Sequence, residues 1–515
     1  MMMSKRSART KIKTINELEV LSQKARDEGL DVVLCHGVFD LLHMGHVRHL
    51  EIAKKEGDLL IVTITADEFV NKGPGRPVFS DQIRAEMLAA IEYVDWVGVN
   101  TEPTAENILN AIKPAAYIKG SDYKKDSDDV TGNIISEREA VENNGGRLVF
   151  TDDVTFSSSS LINKHLDVYS PSLKRYLDDL RTNRNLQEYL DALESIKDKK
   201  ILLVGETIID EYQYVEVMGK AAKENMIASQ FKEREVFAGG VIAAANHVAG
   251  FCDHVEVITS FGSYESYENL VRDSLHENVK LHSIYRTDAP TTRKCRFIDA
   301  GYSMRKMFEV YTMDDTPMSA HNTEKLNDLI RSRIHDVDVV IVTDFGHGLI
   351  NNETMTVLEN EAKFLAVNTQ SNGGNYGFNL VSKYRKADFV CIDGPEARLA
   401  THDKYSDLRE IIADKMPQTI NCPNVIITQG KRGCLARGEN GEVIDVPAVT
   451  SSIVDTVGAG DAFFVIAAPL VAAGVPLQDV AFIGNVAGGL KVGIVGHRDS
   501  VSKVGLTKFL TALMK

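Results

Sequence analysis

Two separate series of short apolar runs, each interleaved with helix-forming stretches, constrain this chain more than any other feature of its sequence. The first series comprises residues 32–34, 59–64, 96–99, 117–119 and 147–150. The second opens with Lys200-Ile201-Leu202-Leu203-Val204-Gly205 and continues at 255–258, 339–343, 364–367, 389–392 and 425–428. Buried strands alternating with helices are the pattern of parallel α/β sheets. Residues 170–199 carry leucines at helical intervals, many charges and no strand signal, which predicts a helical linker. With 515 residues the chain is too long for one core. The expected division is an N-terminal tail and helix at 1–29, an α/β domain at 30–168, the helical linker at 169–198 and a second α/β domain at 199–515. Within the first domain, Ser80 and Asp81 are N-cap candidates for a helix carrying Met87, Leu88 and Ile91.

Composition narrows the partners. The chain is 43% apolar and 25% charged, as expected of a soluble globular protein, and no apolar stretch is long enough to insert into a membrane. Residues 1–13 are basic and lack an apolar core, so they read as a short tail rather than a secretory signal. Six cysteines lie scattered without a CxxC pair, which argues against a zinc site or a disulfide framework and for a reducing, cytoplasmic setting. A net charge of −15 opposes contact with a nucleic-acid backbone, whereas nucleotides need only a local basic pocket.

In the second domain, Gly458-Ala459-Gly460-Asp461 reads as a glycine-rich turn opening a helix. Small residues let backbone N–H groups close on a phosphate, the helix N-terminus adds its positive dipole end, and Asp461 stands where a substrate hydroxyl needs a general base. The longer string DTVGAGDAFF at 455–464 resembles the signature of the ribokinase-like (PfkB) sugar kinases. That resemblance implies a ribokinase-like α/β domain with a small lid sheet and Mg2+ with ATP. It also implies sugar-binding roles for Asp210, Gly239, Gly240 and Asn246. Thr428, Gly430 and Gly433 fall in the ATP-side loop, Gly458, Ala459 and Gly460 form the anion hole, and Glu396 organises the Mg2+ indirectly. Asn246 comes later after the Gly-Gly pair than the family spacing, Asn368 replaces a frequent Asp, and Asp393 a frequent Asn. Residues 212–217 and 226–236 are the expected lid strands, through which a homodimer would form.

In the first domain, Gly37-Val38-Phe39-Asp40-Leu41-Leu42-His43-Met44-Gly45-His46 follows an apolar run, so that a strand, a turn under the triphosphate and a helix succeed one another. Metal binding is the alternative for His43 and His46, with His49 extending the series, but no acidic or Cys partner lies at ligand spacing; His49 reads as a surface residue. The string resembles the HxGH nucleotidyltransferases, which implies a Rossmann-like domain whose His43 and His46 bind the triphosphate, with Gly37 and Phe39 in the nucleotide loop. Nucleotidyl transfer needs no protein nucleophile, because an acceptor phosphate attacks the nucleotide α-phosphate directly; positioning and charge neutralisation do the work. KGPGRP at 72–77, KGSDY at 119–123 and the serine run 157–160 resemble the nucleotidyltransferase half of the bifunctional heptose 1-phosphate enzymes. On that resemblance Lys72 and Arg76 stabilise the transferring phosphate, Lys119, Gly120 and Asp122 bind nucleotide, and Ser158 and Ser159 close on it. His36 stands where those enzymes often carry Asn, and serines replace threonines.

The two resemblances together imply a bifunctional enzyme that phosphorylates a sugar or sugar phosphate, possible substrates including a heptose phosphate, at C1 with ATP. It then transfers a nucleotidyl group from ATP or CTP to the sugar 1-phosphate. In the bifunctional heptose enzymes the kinase half usually comes first, whereas here it is second. The alternatives are a glycerol 3-phosphate type cytidylyltransferase fused to a kinase for an unrelated substrate, and a nucleotidyltransferase with a sensor or scaffold kinase domain.

Overall fold

The computed structural model describes residues 8–70, 73, 76–120, 133–151, 169–301, 305–450 and 453–515. It divides into two compact units, Met1–Ser170 with Thr507–Lys515, and Pro171–Leu506.

Among the described residues the first unit is built on strands β1 (Ile12–Lys13), β2 (Val32–Gly37), β3 (Leu59–Thr65), β4 (Trp96–Asn100), β5 (Ala116–Gly120) and β6 (Arg147–Thr151). They pair in the order β1-β4-β3-β2-β5-β6, all parallel. The continuous apolar runs have a simple cause. Val33, Cys35, Leu60 and Val62 enter one buried cluster, while Val32, Leu34 and Ile61 enter another, so successive residues are taken up on opposite faces. The chain leaves β2 towards β3 and β4 and returns on its other side as β5. Such a reversal is where open α/β sheets take ligands, at the C-terminal ends of β2 and β5, where Gly37 and Gly120 stand. The reading of 1–13 as a tail needs correction, because Ile12 and Lys13 pair with Val97 and Gly98 and Lys11 Nζ donates to the Val94 carbonyl at 2.7 Å. Two residues of strand are too short to leave a periodic signal.

The second unit carries β7 (Lys200–Gly205), β8 (Thr207–Lys220), β9 (Ile227–Gly240), β10 (His254–Tyr264), β11 (Val279–Pro290), β12 (Thr292–Asp299), β13 (Arg305–Thr312), β14 (Val339–Asp344), β15 (Leu365–Thr369), β16 (Phe389–Asp393), β17 (Asn424–Thr428), β18 (Cys434–Arg437) and β19 (Val443–Val446). Its main sheet runs β11-β10-β7-β14-β15-β16-β17-β18-β19, parallel as far as β17 and antiparallel over the last two pairings. A four-stranded sheet, β13-β12-β8-β9, forms the lid. The expected lid strands are the antiparallel pair β8 and β9. Strands β12 and β13 join them and were not legible, because their basic and aromatic residues alternate over a half-exposed surface instead of forming an apolar run.

The predicted linker is two helices, Pro171–Asn183 and Leu186–Glu194, and they belong to the second unit. The rings of Tyr176 and Tyr189 lie 6.0 and 5.3 Å from that of Phe482, and Arg184 and Tyr189 both donate to Asp479. Their leucines thus cover the second core rather than solvate a tether, and the compact second unit begins at Pro171. At the other end, 507–515 groups with the first unit rather than the second. Tyr189→Ala in the full chain should destabilise the second unit by about 3 kcal/mol, read as a lower urea midpoint. A fragment beginning at 199 should melt below one beginning at 171. Equal midpoints for the two fragments would restore the linker reading.

Candidate active sites

A cavity of about 580 Å³ opens at the C-terminal ends of the main-sheet strands in the second unit. Asp210, Gly240, Glu396, Thr428, Gly430, Gly433, Gly458, Ala459, Gly460 and Asp461 all line it, so one space collects residues spread over half the sequence. The helix Ala459–Ala472 starts at Gly458, whose φ of 76° is the left-handed conformation that a side chain would strain. Its first N–H groups lack intrahelical acceptors, the arrangement that suits a helix start to an anion. Asp461 in that first turn is buried, and burial raises its carboxyl pKa. A more basic carboxylate is better suited to take a hydroxyl proton.

Asp210 on β8 lines the same cavity and is bound by basic groups. His497 Nε2 lies 3.2 Å from its Oδ2, and the Arg296 guanidinium pairs with its Oδ1. Burial alone would push this carboxyl up, but the hydrogen bond from His497 and the charge of Arg296 hold it well below the usual range. Gly239 makes the approach possible, since a Cβ there would stand 2.0 Å from Asp210 Oδ2. Lys294, two residues from Arg296 along β12, is buried, and burial lowers its pKa. Arg296, Lys294 and His497 were missed in the sequence. The usable signal was the pair of basic residues at alternate positions of one strand.

At the nucleotide end, Glu396 and Asp393 cap the helix Gly394–Ala400 reciprocally, and Glu396 also accepts the Ser371 N–H at 2.9 Å. Burial and the neighbouring Asp393 raise the Glu396 pKa to about 8. Both Glu396 oxygens are thus occupied by backbone N–H groups. Asn368 Nδ2 donates to the Cys391 carbonyl while its buried Oδ1 lacks a partner among the described residues. Asn246 requires correction. It donates to the Ser274 carbonyl and accepts from His276 N, and it does not line the cavity. Six positions past Gly240, it lies beyond the first helical turn, where its side chain meets the 274–276 loop.

In the first unit, His43 is the N-cap of the helix Met44–Lys54. Gly45 N donates to its Nδ1 at 3.1 Å, and His43 N donates to His46 Nδ1 at 3.4 Å, setting the two rings 4.1 Å apart. Burial lowers the His43 pKa, so the neutral ring, accepting at Nδ1, carries its proton on Nε2. That buried Nε2 has no hydrogen-bond partner among the described residues, leaving a donor ready for a phosphate oxygen. The Phe39 ring packs 5.3 Å from His46, and a Cβ at Gly37 would stand 3.2 Å from it.

Arg76 is held by buried Asp40 at 3.1 Å, and Lys119 by Glu137 at 2.8 Å beneath the Tyr117 ring. Lys72, Asp122, Ser158 and Ser159 lie outside the described residues. His49 is not a surface residue; its Nδ1 is 2.8 Å from Thr151 Oγ1 and burial lowers its pKa to about 4. Fully buried Arg84 joins the loops by bonds to the carbonyls of Val38, Thr65 and Phe79 and to Asp67.

Residues 198–503 match the pfkB family carbohydrate kinase model. The chain belongs to the pfkB family of carbohydrate kinases. Residues 34–164 match a second model, described as cytidylyltransferase-like. The pfkB fold is also that of phosphofructokinase-2 from Escherichia coli in complex with potassium. That structure is 14% identical, with a TM-score of 0.50 over 62% of this chain and 100% of its own. Curated relatives include the bifunctional protein HldE of Syntrophotalea carbinolica, 36% identical over 163 residues, 31% of this chain and 32% of that protein. HldE of Sulfurimonas denitrificans is 43% identical over 115 residues, 22% of this chain and 24% of that one. The chain thus spans about a third of the length of the curated relatives it matches.

For the pfkB half, the raised Asp461 pKa sets a pH dependence. A carboxylate base acts when ionised, so with Asp461 in that role kcat/KM for ADP release should fall as pH drops through the raised value. The acid limb should lie above the ordinary aspartate pKa of about 3.9. A pH–rate profile without a limb above that value would remove Asp461 from the role.

Proposed function

We propose that the chain is a bifunctional enzyme. Its pfkB half phosphorylates a sugar phosphate of the heptose class at C1 with ATP, and its cytidylyltransferase-like half transfers a nucleotidyl group from ATP or CTP to the resulting sugar 1-phosphate. The observation that carries the reading is the single cavity in which Asp461, its glycine turn and Asp210 meet. The sugar would lie between Asp210 and Asp461, with the anomeric hydroxyl toward Asp461 and the γ-phosphate over Gly458, Ala459 and Gly460. Asp461 takes the hydroxyl proton as the oxygen attacks. Lys294 and Arg296 favour an acceptor that already bears a phosphate. Mg2+ held with the nucleotide near Asp393 and Glu396 would neutralise the phosphates.

In the first half, His43 Nε2–H and His46 would steady the triphosphate while the sugar 1-phosphate attacks the α-phosphate and pyrophosphate leaves. HldE relatives support the pairing of the two steps. The lid exposes Met218, Ile227, Phe231, Phe308 and Val310, which supports a homodimer through that sheet.

The experiment supplies ATP or CTP with a panel of sugars and sugar phosphates and follows ADP and pyrophosphate separately. Asp461→Asn should lower ADP release by about 10² to 10⁴ while sparing pyrophosphate release from supplied sugar 1-phosphate. His43→Ala and His46→Ala should do the reverse. Near-normal ADP release from Asp461→Asn would favour a sensor domain, and loss of both products from one folded variant would refute two separate sites.

A further inference from the structure

Lys491, the last residue of the helix Leu477–Lys491, is fully buried. Its Nζ donates to the carbonyls of Val457 at 2.9 Å and Gly496 at 2.6 Å, with that of Ile494 at 3.5 Å. Burial lowers its pKa to about 8 while the nearby Asp455 and Asp461 oppose that fall, so the ammonium is the form present at neutral pH. A buried ammonium is costly unless its surroundings replace water. Here backbone carbonyls from separate segments replace it, as carbonyl cages do around a bare monovalent cation.

A helix-end lysine bonding the carbonyls just beyond its own helix is ordinary capping, and that accounts for Ile494 and Gly496. It does not account for Val457, which belongs to the phosphate turn 34 positions earlier. Nor does it account for the path of the side chain, whose Cε would lie 3.4 Å from a Cβ on Gly458, directly against the left-handed residue that opens the anion hole. Asp455, which starts the same turn, accepts the Gly496 N–H at 2.9 Å and the Val457 N–H at 3.2 Å. Turn and C-terminal loop are therefore closed around the ammonium from both sides.

We propose that the Lys491 ammonium is a built-in monovalent cation that holds the anion-hole turn in its working shape, so that phosphoryl transfer requires no added potassium or ammonium ion. Lys491 is a positioning residue in this scheme: it acts on the transferring phosphate through the turn. The inference rests on the kinase reading above.

The test compares the full-length protein with Lys491→Ala, which empties the cage, and Lys491→Met, which fills it without charge. Each is assayed in tetramethylammonium chloride, KCl and NH4Cl at equal ionic strength. Two readouts are taken, turnover to ADP with the acceptor found above and calorimetric melting of the second unit.

Wild-type turnover should be the same in all three salts. Lys491→Ala should lose about 10²-fold in kcat in tetramethylammonium and regain most of it in KCl or NH4Cl, with KM for the acceptor little changed. Lys491→Met should stay slow throughout. Melting should follow suit: potassium raises the melting temperature of Lys491→Ala but of neither other protein. Strong potassium activation of the wild type, or a Lys491→Ala protein that stays inactive or unfolded in KCl, overturns the proposal. Should the wild type release no ADP with any acceptor, the kinase reading fails, and the potassium shift in melting still decides the cage.

Discussion

The carboxylate of Asp455 is the interaction on which the second unit depends. It accepts from Tyr212 of β8 at 2.7 Å, from Lys306 of β13 at 2.6 Å and from the backbone of Gly496 and Val457. Two lid strands, the phosphate turn and the C-terminal loop thus converge on one buried group. Burial would raise its pKa, but Lys306 and Tyr212 together hold it well below the usual carboxylate range. Removing one partner would leave a buried charge uncompensated, which costs more than the lost bond itself. The lid is therefore tied to the turn by charge, beside an apolar cluster of Tyr212, Tyr214, Ile298 and Phe237 with Val495 of the C-terminal loop.

The first unit meets the same problem with different parts. Its loops after β2 and β3 are irregular backbone, and Arg84 satisfies their carbonyls from inside the fold. Asp40 does the complementary task, accepting the N–H of Val78 at 2.6 Å while pairing with Arg76. With the loops fixed, His43 can serve as a helix cap through Nδ1 and keep Nε2 free for a ligand. In both units the candidate site includes a helix start at the C-terminal edge of a parallel sheet, and buried ionic groups supply the rigidity that glycine-rich turns lack.

Legibility followed the range of the physics involved. The expected strands at 32–34, 59–64, 339–343 and 389–392 all lie within β2, β3, β14 and β16, because a strand covered on both faces must be apolar at every position. Strands such as β11, β12 and β13 mix charged, polar and apolar residues, and that composition looks like loop. The leucines of 171–194 showed helix correctly, but not what the helices cover. Asn246 was placed by analogy of spacing alone, and one further helical turn carried its side chain away from the cavity.

What the sequence determined by itself was local: apolar runs, the glycine turn with Asp461 one turn into its helix, and the His43–His46 pair at a helix start. Each is specified within a window of about ten residues, where steric limits and helix geometry leave few alternatives. Only the tertiary structure decided which charges meet. Lys306 reaches Asp455 across 149 positions and Tyr212 across 243. Arg296 finds Asp210 across 86, and Lys491 enters its carbonyl cage through the packing of a helix end against a distant turn. Such pairings depend on strand register and on the depth at which water is excluded, and neither quantity exists until the sheets have formed.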